Sequence, residues 1–185
     1  MSLLSPQTYR PLLLLLLLLC QGAHAESIEV AEAKVQLQEG LYLLDATIRY
    51  PLHDELLEAL HSGISLPFKV IVVVYVPHNY WPDTEVAFLK QRYTLRYHAL
   101  SRQYIVTNQN TTVSENFSSL AQALDQLGNI KALPVIDHAL LEAGVNYHLR
   151  IRASINTALL SIPLRLTSYI YGPWKNSSEW WDTPL

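Results

Sequence analysis

The chain has 185 residues, half of them hydrophobic in the broad sense, with 13 basic and 16 acidic side chains and a formal charge of −3. One Cys and one Met leave nothing for a disulfide scaffold. The charge balance argues against bulk nucleic-acid binding, and the apolarity and weak charge argue against disorder.

The first 25 residues read as an export signal. Met1–Arg10 carries the amino terminus and Arg10 as its positive charges, Leu12–Cys20 is an apolar run, and Ala23-His24-Ala25 sets small residues at −3 and −1 before Glu26. That layout predicts cleavage after Ala25. A membrane span needs about 20 apolar residues, and the polar stretch Gln21–His24 comes too soon for one. Leu19 before Cys20 does not suit a lipoprotein signal. The predicted organisation is therefore a signal peptide over 1–25 and a single domain over 26–185. Both sulfur-containing residues leave with the signal, so the domain would be stabilised by its core alone.

Along that domain the dominant period is two. Ile28–Gln38 reads as a strand whose apolar phase slips near Val30-Ala31, which predicts a bulge. Glu39-Gly40 then reads as a hairpin turn into the alternating strand Tyr42–Tyr50. Asp54–His61 has Leu56, Leu57 and Leu60 at helical spacing, acids early, His61 late, and Gly63 as a stop. Phe68–Val76 is apolar on both faces and rich in β-branched residues, which predicts a central strand ended by Pro77. Ala87–Leu100 alternates over a long half-buried strand. Ser119–Leu127 opens with Ser119 and Gln122 at capping-box spacing and stops at Gly128. Tyr147–Asn156 is a further alternating strand. Leu133–Gly144 and Thr157–Ser168 receive no element, and Pro163 excludes a central strand in the second. Neighbouring strands mostly lack the long crossovers of a parallel sheet. The expected fold is mainly β: a largely antiparallel two-layer domain with two short helices, with α+β as the alternative.

Familiar catalytic signatures are missing. The five glycines after Ala25 are too dispersed for a dinucleotide fingerprint or a nucleophile elbow. There is no His-Glu-x-x-His pair, and without Cys the usual structural zinc sites are excluded. His53, His61, His78, His98, His138 and His148 show no metal-ligand spacing and read as surface histidines. A catalytic constellation assembled from distant positions stays open, because triads are defined by geometry and not by order. No catalytic, cofactor-binding or metal residue is assigned, and no cofactor is expected.

Two patterns suggest binding. Lys90, Arg92, Arg96 and His98 share the polar face of one strand, and His148, Arg150 and Arg152 that of another. No acid lies between Glu85 and Glu115 or between Glu142 and Glu179. Merged into one patch, these faces would hold an anionic lipid, polymer or acidic protein segment. The plainer reading is a solvated face neutralised by Glu29, Glu32 and Asp45 of the acidic amino-terminal strands. The second pattern is aromatic: Tyr80-Trp81 in the loop His78–Thr84, with Tyr169, Tyr171, Trp174, Trp180 and Trp181 near the carboxyl end. Exposed aromatics make sugar or protein contacts; the plainer reading is that the tryptophans lock the chain end onto the core. The glycosylation-like triplets at Asn110, Asn116 and Asn176 are read as chance.

The order of several segments resembles the proteobacterial secreted family called domain of unknown function 4390. The matching stretches are Gly63–Phe68 (GISLPF), Tyr80-Trp81, Arg92–Tyr104 (RYTLRYHALSRQY), Phe117–Leu120 (FSSL) with its following helix, and Trp174–Trp180 (WKNSSEW), so the resemblance spans most of 28–181. Pro82 after Tyr80-Trp81 departs from the family pattern. The resemblance implies a signal peptide and no established activity, cofactor or catalytic residue. It also implies genes often found beside a membrane sensor kinase of the nitrogen-regulation type. The expectation is a non-enzymatic protein exported to the periplasm of a Gram-negative bacterium. It would bind an envelope component, an anionic polymer or lipid, or the outer part of a sensor kinase, with no nucleic acid and no membrane span after cleavage. The alternatives are an envelope hydrolase with a non-local site and a chaperone-like or structural assembly module using an open sheet edge.

Overall fold

The computed structural model describes residues 27–155 and 176–185; the expected signal peptide, Trp174 and the Thr157–Ser168 segment lie outside them. The chain begins with β1 (Glu29–Gln38) and β2 (Leu41–Arg49), paired antiparallel, with a register shift between Val30 and Glu32 that makes Ala31 the bulge. The turn between them places Glu39 (φ 49°) and Gly40 (φ 82°) in the left-handed region. The type I′ form of a two-residue hairpin needs both central residues there, which Gly accepts without cost.

Helix α1 (Asp54–His61) follows, with Asp54 and Glu55 in its first turn and Leu56, Ala59 and Leu60 buried. Strands β3 (Leu66–Val76) and β4 (Thr84–His98) form a long antiparallel pair, and β5 (Gln103–Asn108) and β6 (Ser114–Phe117) extend it. Helix α2 (Leu120–Gly128) starts at Ser119, whose side chain accepts the Gln122 N–H at 3.3 Å. The Gln122 side chain meets Ser118 instead of closing the box. β7 (Asn129–Asp137) then pairs with β2, and a 3₁₀ turn (His138–Leu140) leads to β8 (His148–Ile155). β9 (Trp181–Pro184) pairs with β8.

Among the described residues all pairings are antiparallel, in a three-stranded sheet ordered β1-β2-β7 and a six-stranded sheet ordered β6-β5-β4-β3-β8-β9. β1 approaches β8, and β7 approaches β3 and β4, so the sheets stack as two layers. The fold is mainly β, as the alternation predicts. One apolar core joins both layers and both helices: Leu44, Ala46 and Ile48 of β2 meet Phe68, Val70, Val72 and Val74 of β3 and Leu149 and Ile151 of β8. Each of these Val, Leu, Ile and Phe side chains stabilises the fold by roughly 1.5–3 kcal/mol on burial.

β3 sits fourth from β6 and third from β9, and Val72–Tyr75 are buried on both faces. This is why its sequence is apolar at every position there. β7 runs where no element was expected. Its register slips twice, Ala132 takes a left-handed φ of 46°, and the Asp45 carboxylate accepts the Ala132 N–H at 2.8 Å. Pro134 is tolerated because β7 is an edge strand.

Candidate functional site

Directly opposed residues of an antiparallel pair share a face, so the register defines the outer surface of the six-stranded sheet. Arg92 lies opposite Lys69, which lies opposite Ser154. In the next rows Lys90, Ile71 and Arg152 align, then Phe88, Val73 and Arg150. Arg96, opposite Ile105, and His98, opposite Gln103, continue the face toward the β4–β5 turn. The two basic strand faces therefore belong to one surface, with β3 between them. With strands about 4.8 Å apart, Lys90 and Arg152 are separated by roughly 10 Å at their backbones. Lys69 adds a cation between Arg92 and Ser154; it is the one charge in its apolar run, and its phase could have flagged it.

The two halves of this surface differ in their surroundings. On β8 the cations are engaged. Arg150 bonds Asp83 at 3.2 Å, and its guanidinium lies 4.6 Å above the Tyr75 ring and 5.2 Å from the Trp180 ring. Arg152 donates to the Ser178 carbonyl at 3.1 Å and to Ser177 Oγ at 2.7 Å, and it also faces Trp180. His148 Nδ1 meets Asp182 at 2.9 Å, and the Tyr75 hydroxyl donates to the same carboxylate. Burial, and then this bond to Asp182, push the Tyr75 phenol up to about 12. Together these contacts fasten Ser177–Asp182 across β8. The acids involved lie far from the cations in sequence, which is why charge alternation alone did not find them.

On β4 the cations are open. The side chains of Lys90, Arg92 and Arg96 are exposed and have no hydrogen-bond or ion-pair partner among the described residues, while that of His98 meets only Ser101, at 2.9 Å. The acids expected to neutralise them are used elsewhere. Glu29 pairs with Arg49, Glu32 with Lys34, and Asp45 with the β7 backbone. The β4 backbone beneath these cations is held by the turn after β5. Asn110 Nδ2 donates to the Lys90 carbonyl at 2.9 Å, its Oδ1 accepts the Arg92 N–H at 2.8 Å, and Gln109 N–H donates to the Arg92 carbonyl. The Asn110 amide thus takes the place of a strand beyond the end of β5.

The aromatic candidates also separate. Tyr80 and Trp81 are 94% and 80% exposed in the loop between β3 and β4. Trp180 is 41% exposed over the β8 arginines, and Trp181 packs against the core opposite Ile151. Phe88 gives no signal in the sequence beyond its phase: it shares the polar phase of β4 and is 52% exposed beside Val73.

Two clefts lie elsewhere. One of about 880 Å³ opens between Ser27–Val30, the end of β2, α2 and Ser177–Trp181. Another of about 490 Å³ brings His138, Glu142, Tyr147 and His148 together, with no Ser, Thr or Cys among its described lining residues. No group of three or more His, Cys, Asp or Glu suited to a metal occurs among the described residues. No described helix is long and apolar enough to cross a membrane.

These features define a class: a two-layer antiparallel β domain with one broad, partly uncompensated basic face and a projecting aromatic loop. The family model described as Domain of unknown function (DUF4390) matches residues 25–183, and the chain belongs to that family. No curated protein and no solved structure matches it.

Proposed function

We propose that this is a non-enzymatic protein exported to the periplasm, where it presents the outer face of the six-stranded sheet to an anionic partner in the envelope. A single observation carries the reading: Lys90, Arg92 and Arg96 line one strand face with Lys69 beside them, and Glu29, Glu32 and Asp45, the acids expected to neutralise them, are bonded elsewhere. Unscreened cations on one side of a molecule steer and hold anions. An anionic lipid, an envelope polymer and an acidic segment of a sensor kinase's outer part all carry the required charge. Against a hydrolase, the His148–Asp182 pair is committed to holding β9, and the cleft at His148 has no Ser, Thr or Cys among its described lining residues.

The test is site-specific photocrosslinking in cells. A crosslinker at Thr94, on the outer face, is expected to capture an envelope component, whereas one at Thr47, exposed on the three-stranded sheet, is not. The substitutions Arg92→Glu and Arg96→Glu together should abolish the Thr94 adduct. Equal adduct yield from wild type and the double variant removes the basic face from the account.

A further inference from the structure

Resting on that reading, we infer that the anionic partner is the surface of a lipid bilayer, met by the β4 cations and by the Tyr80-Trp81 loop at the same time. The shape of the site comes first. Lys69, Lys90, Arg92 and Arg96 spread across two neighbouring strands of one sheet face, and neither of the two clefts described above is lined by any of them. A single small anion is held best in a concavity that converges donors on it. A flat array of cations matches a flat array of phosphates, and each Lys or Arg near such a surface adds roughly fivefold to binding.

The second observation is that this face is not only basic. Phe88 and Trp180 are 52% and 41% exposed on it, and the loop ahead of β4 projects Tyr80 and Trp81 almost wholly into solvent. Trp and Tyr settle at bilayer interfaces because an apolar ring carries a polar N–H or O–H that reaches the headgroup layer. A soluble polyanion has no use for four large apolar side chains on the binding surface.

The third observation is placement. Asp83, at the foot of the loop, is bonded to Arg150 on the outer face, which draws the loop toward that side of the sheet. His78 Nε2 lies 2.9 Å from Thr84 Oγ1 and pins the loop's two ends. Pro77 and Pro82 bracket the tip, limiting the backbone freedom lost when it inserts. From Thr84 to Lys90 is roughly 20 Å along the strand. The sheet therefore meets a bilayer at a tilt, with the aromatic end at the acyl boundary and the cations against headgroups. This is the same division of labour as in interfacial amphipathic helices, built on a strand.

The experiment uses the protein in the form that cells accumulate, with intact mass recording whether residues 1–25 are present. Any contribution of that segment is then common to every variant. Co-sedimentation is measured with vesicles of phosphatidylcholine alone and of equal parts phosphatidylglycerol and phosphatidylcholine, with dextran sulfate as a soluble polyanion. Wild type should partition onto the anionic vesicles, weaken with salt, and show a blue-shifted tryptophan emission. Arg92→Glu with Arg96→Glu should lower that partitioning on the order of 30-fold or more. Trp81→Ala should lower it less and remove most of the blue shift. If the glutamate pair disturbs the melting transition, Lys90→Gln with Arg92→Gln serves in its place. Equal binding of wild type and charge variants to anionic vesicles overturns the inference, as does binding without involvement of Trp81. Binding to dextran sulfate but not to vesicles, with the Thr94 adduct retained in cells, overturns the lipid assignment and leaves the proposed function standing. Loss of both removes the two together.

Discussion

Gly128 is the sharpest point at which a single atom tests the packing of the two layers. It is the last residue of α2, and a Cβ added there would lie 2.1 Å from the Ile48 carbonyl oxygen and 3.2 Å from its carbon. Carbon and carbonyl oxygen approach to about 3.3 Å in ordinary contacts, so helix or strand must retreat by about 1 Å. The obstructing atom is backbone in the middle strand of the three-stranded sheet, and no rotamer change moves it aside. Overpacking of this kind costs about 1–3 kcal/mol. Alanine recovers up to about 1 kcal/mol of helix propensity, and less than that at a terminal position. Gly128→Ala should therefore destabilise by about 2 kcal/mol, lowering Tm by about 4–8 °C for a domain of this size. Thermal melting followed by circular dichroism reads the shift. Gly40→Ala is the control: nothing lies within 4 Å of its Cβ position, and the cost comes only from a φ of +82°. A Tm for Gly128→Ala equal to or above wild type would refute the close contact between α2 and β2, and with it the way that helix is seated.

Arg150→Lys keeps the charge but loses the planar group stacked on Tyr75 and Trp180 and bonded to Asp83. It should cost about 1–2 kcal/mol in urea unfolding and shift tryptophan emission, while Arg92→Lys stays within about 0.5 kcal/mol of wild type. Stability should also fall in alkali. Burial raises the phenol of Tyr75 to about 12 and moves those of Tyr50, Tyr93 and Tyr104 upward as well. Below about pH 10 both folded and unfolded states keep these protons, so the contribution is complete; above it the unfolded state releases them first, and stability declines toward pH 12. A urea midpoint that stays flat from about pH 9 to 12 would contradict this.

The fold was legible wherever one physical period ran long enough. β4 and β8 show clean alternation because one face of each is core and the other is not. β3 lacks alternation over Val72–Tyr75 because both faces are buried there, and that too was readable. The short strands were not. β6 has four residues and β9 has four including Pro184, so their identity as strands comes from pairing with β5 and β8 rather than from any local preference. β7 hides behind Pro134 and two register slips, repaired by an Asp45 side chain that is 87 positions away. Gly128 was read as a helix stop, whereas its small size is demanded by the Ile48 carbonyl.

The basic strands show the same division on the scale of the site. β4 and β8 carry nearly the same pattern of alternating cations, and both flank β3 on one face. What separates them is the neighbour on the far side. β8 is followed across the sheet by β9, preceded by Ser177–Trp180, and that segment brings Asp182, Ser177, the Ser178 carbonyl and the Trp180 ring onto the arginines. β4 is followed by β5, which presents Ile105 and Gln103 opposite Arg96 and His98, neither of them an acid. The same sequence motif thus becomes a clasp on one strand and an open charged surface on the other. It follows that Arg152→Glu and Arg92→Glu must fail differently. The first buries an acid against the Ser178 carbonyl and should show as a lower Tm with loss of the β9 contact. The second should leave the melting transition in place and change only what the surface holds. If both variants melt alike and lose the partner alike, the distinction between clasp and surface is wrong.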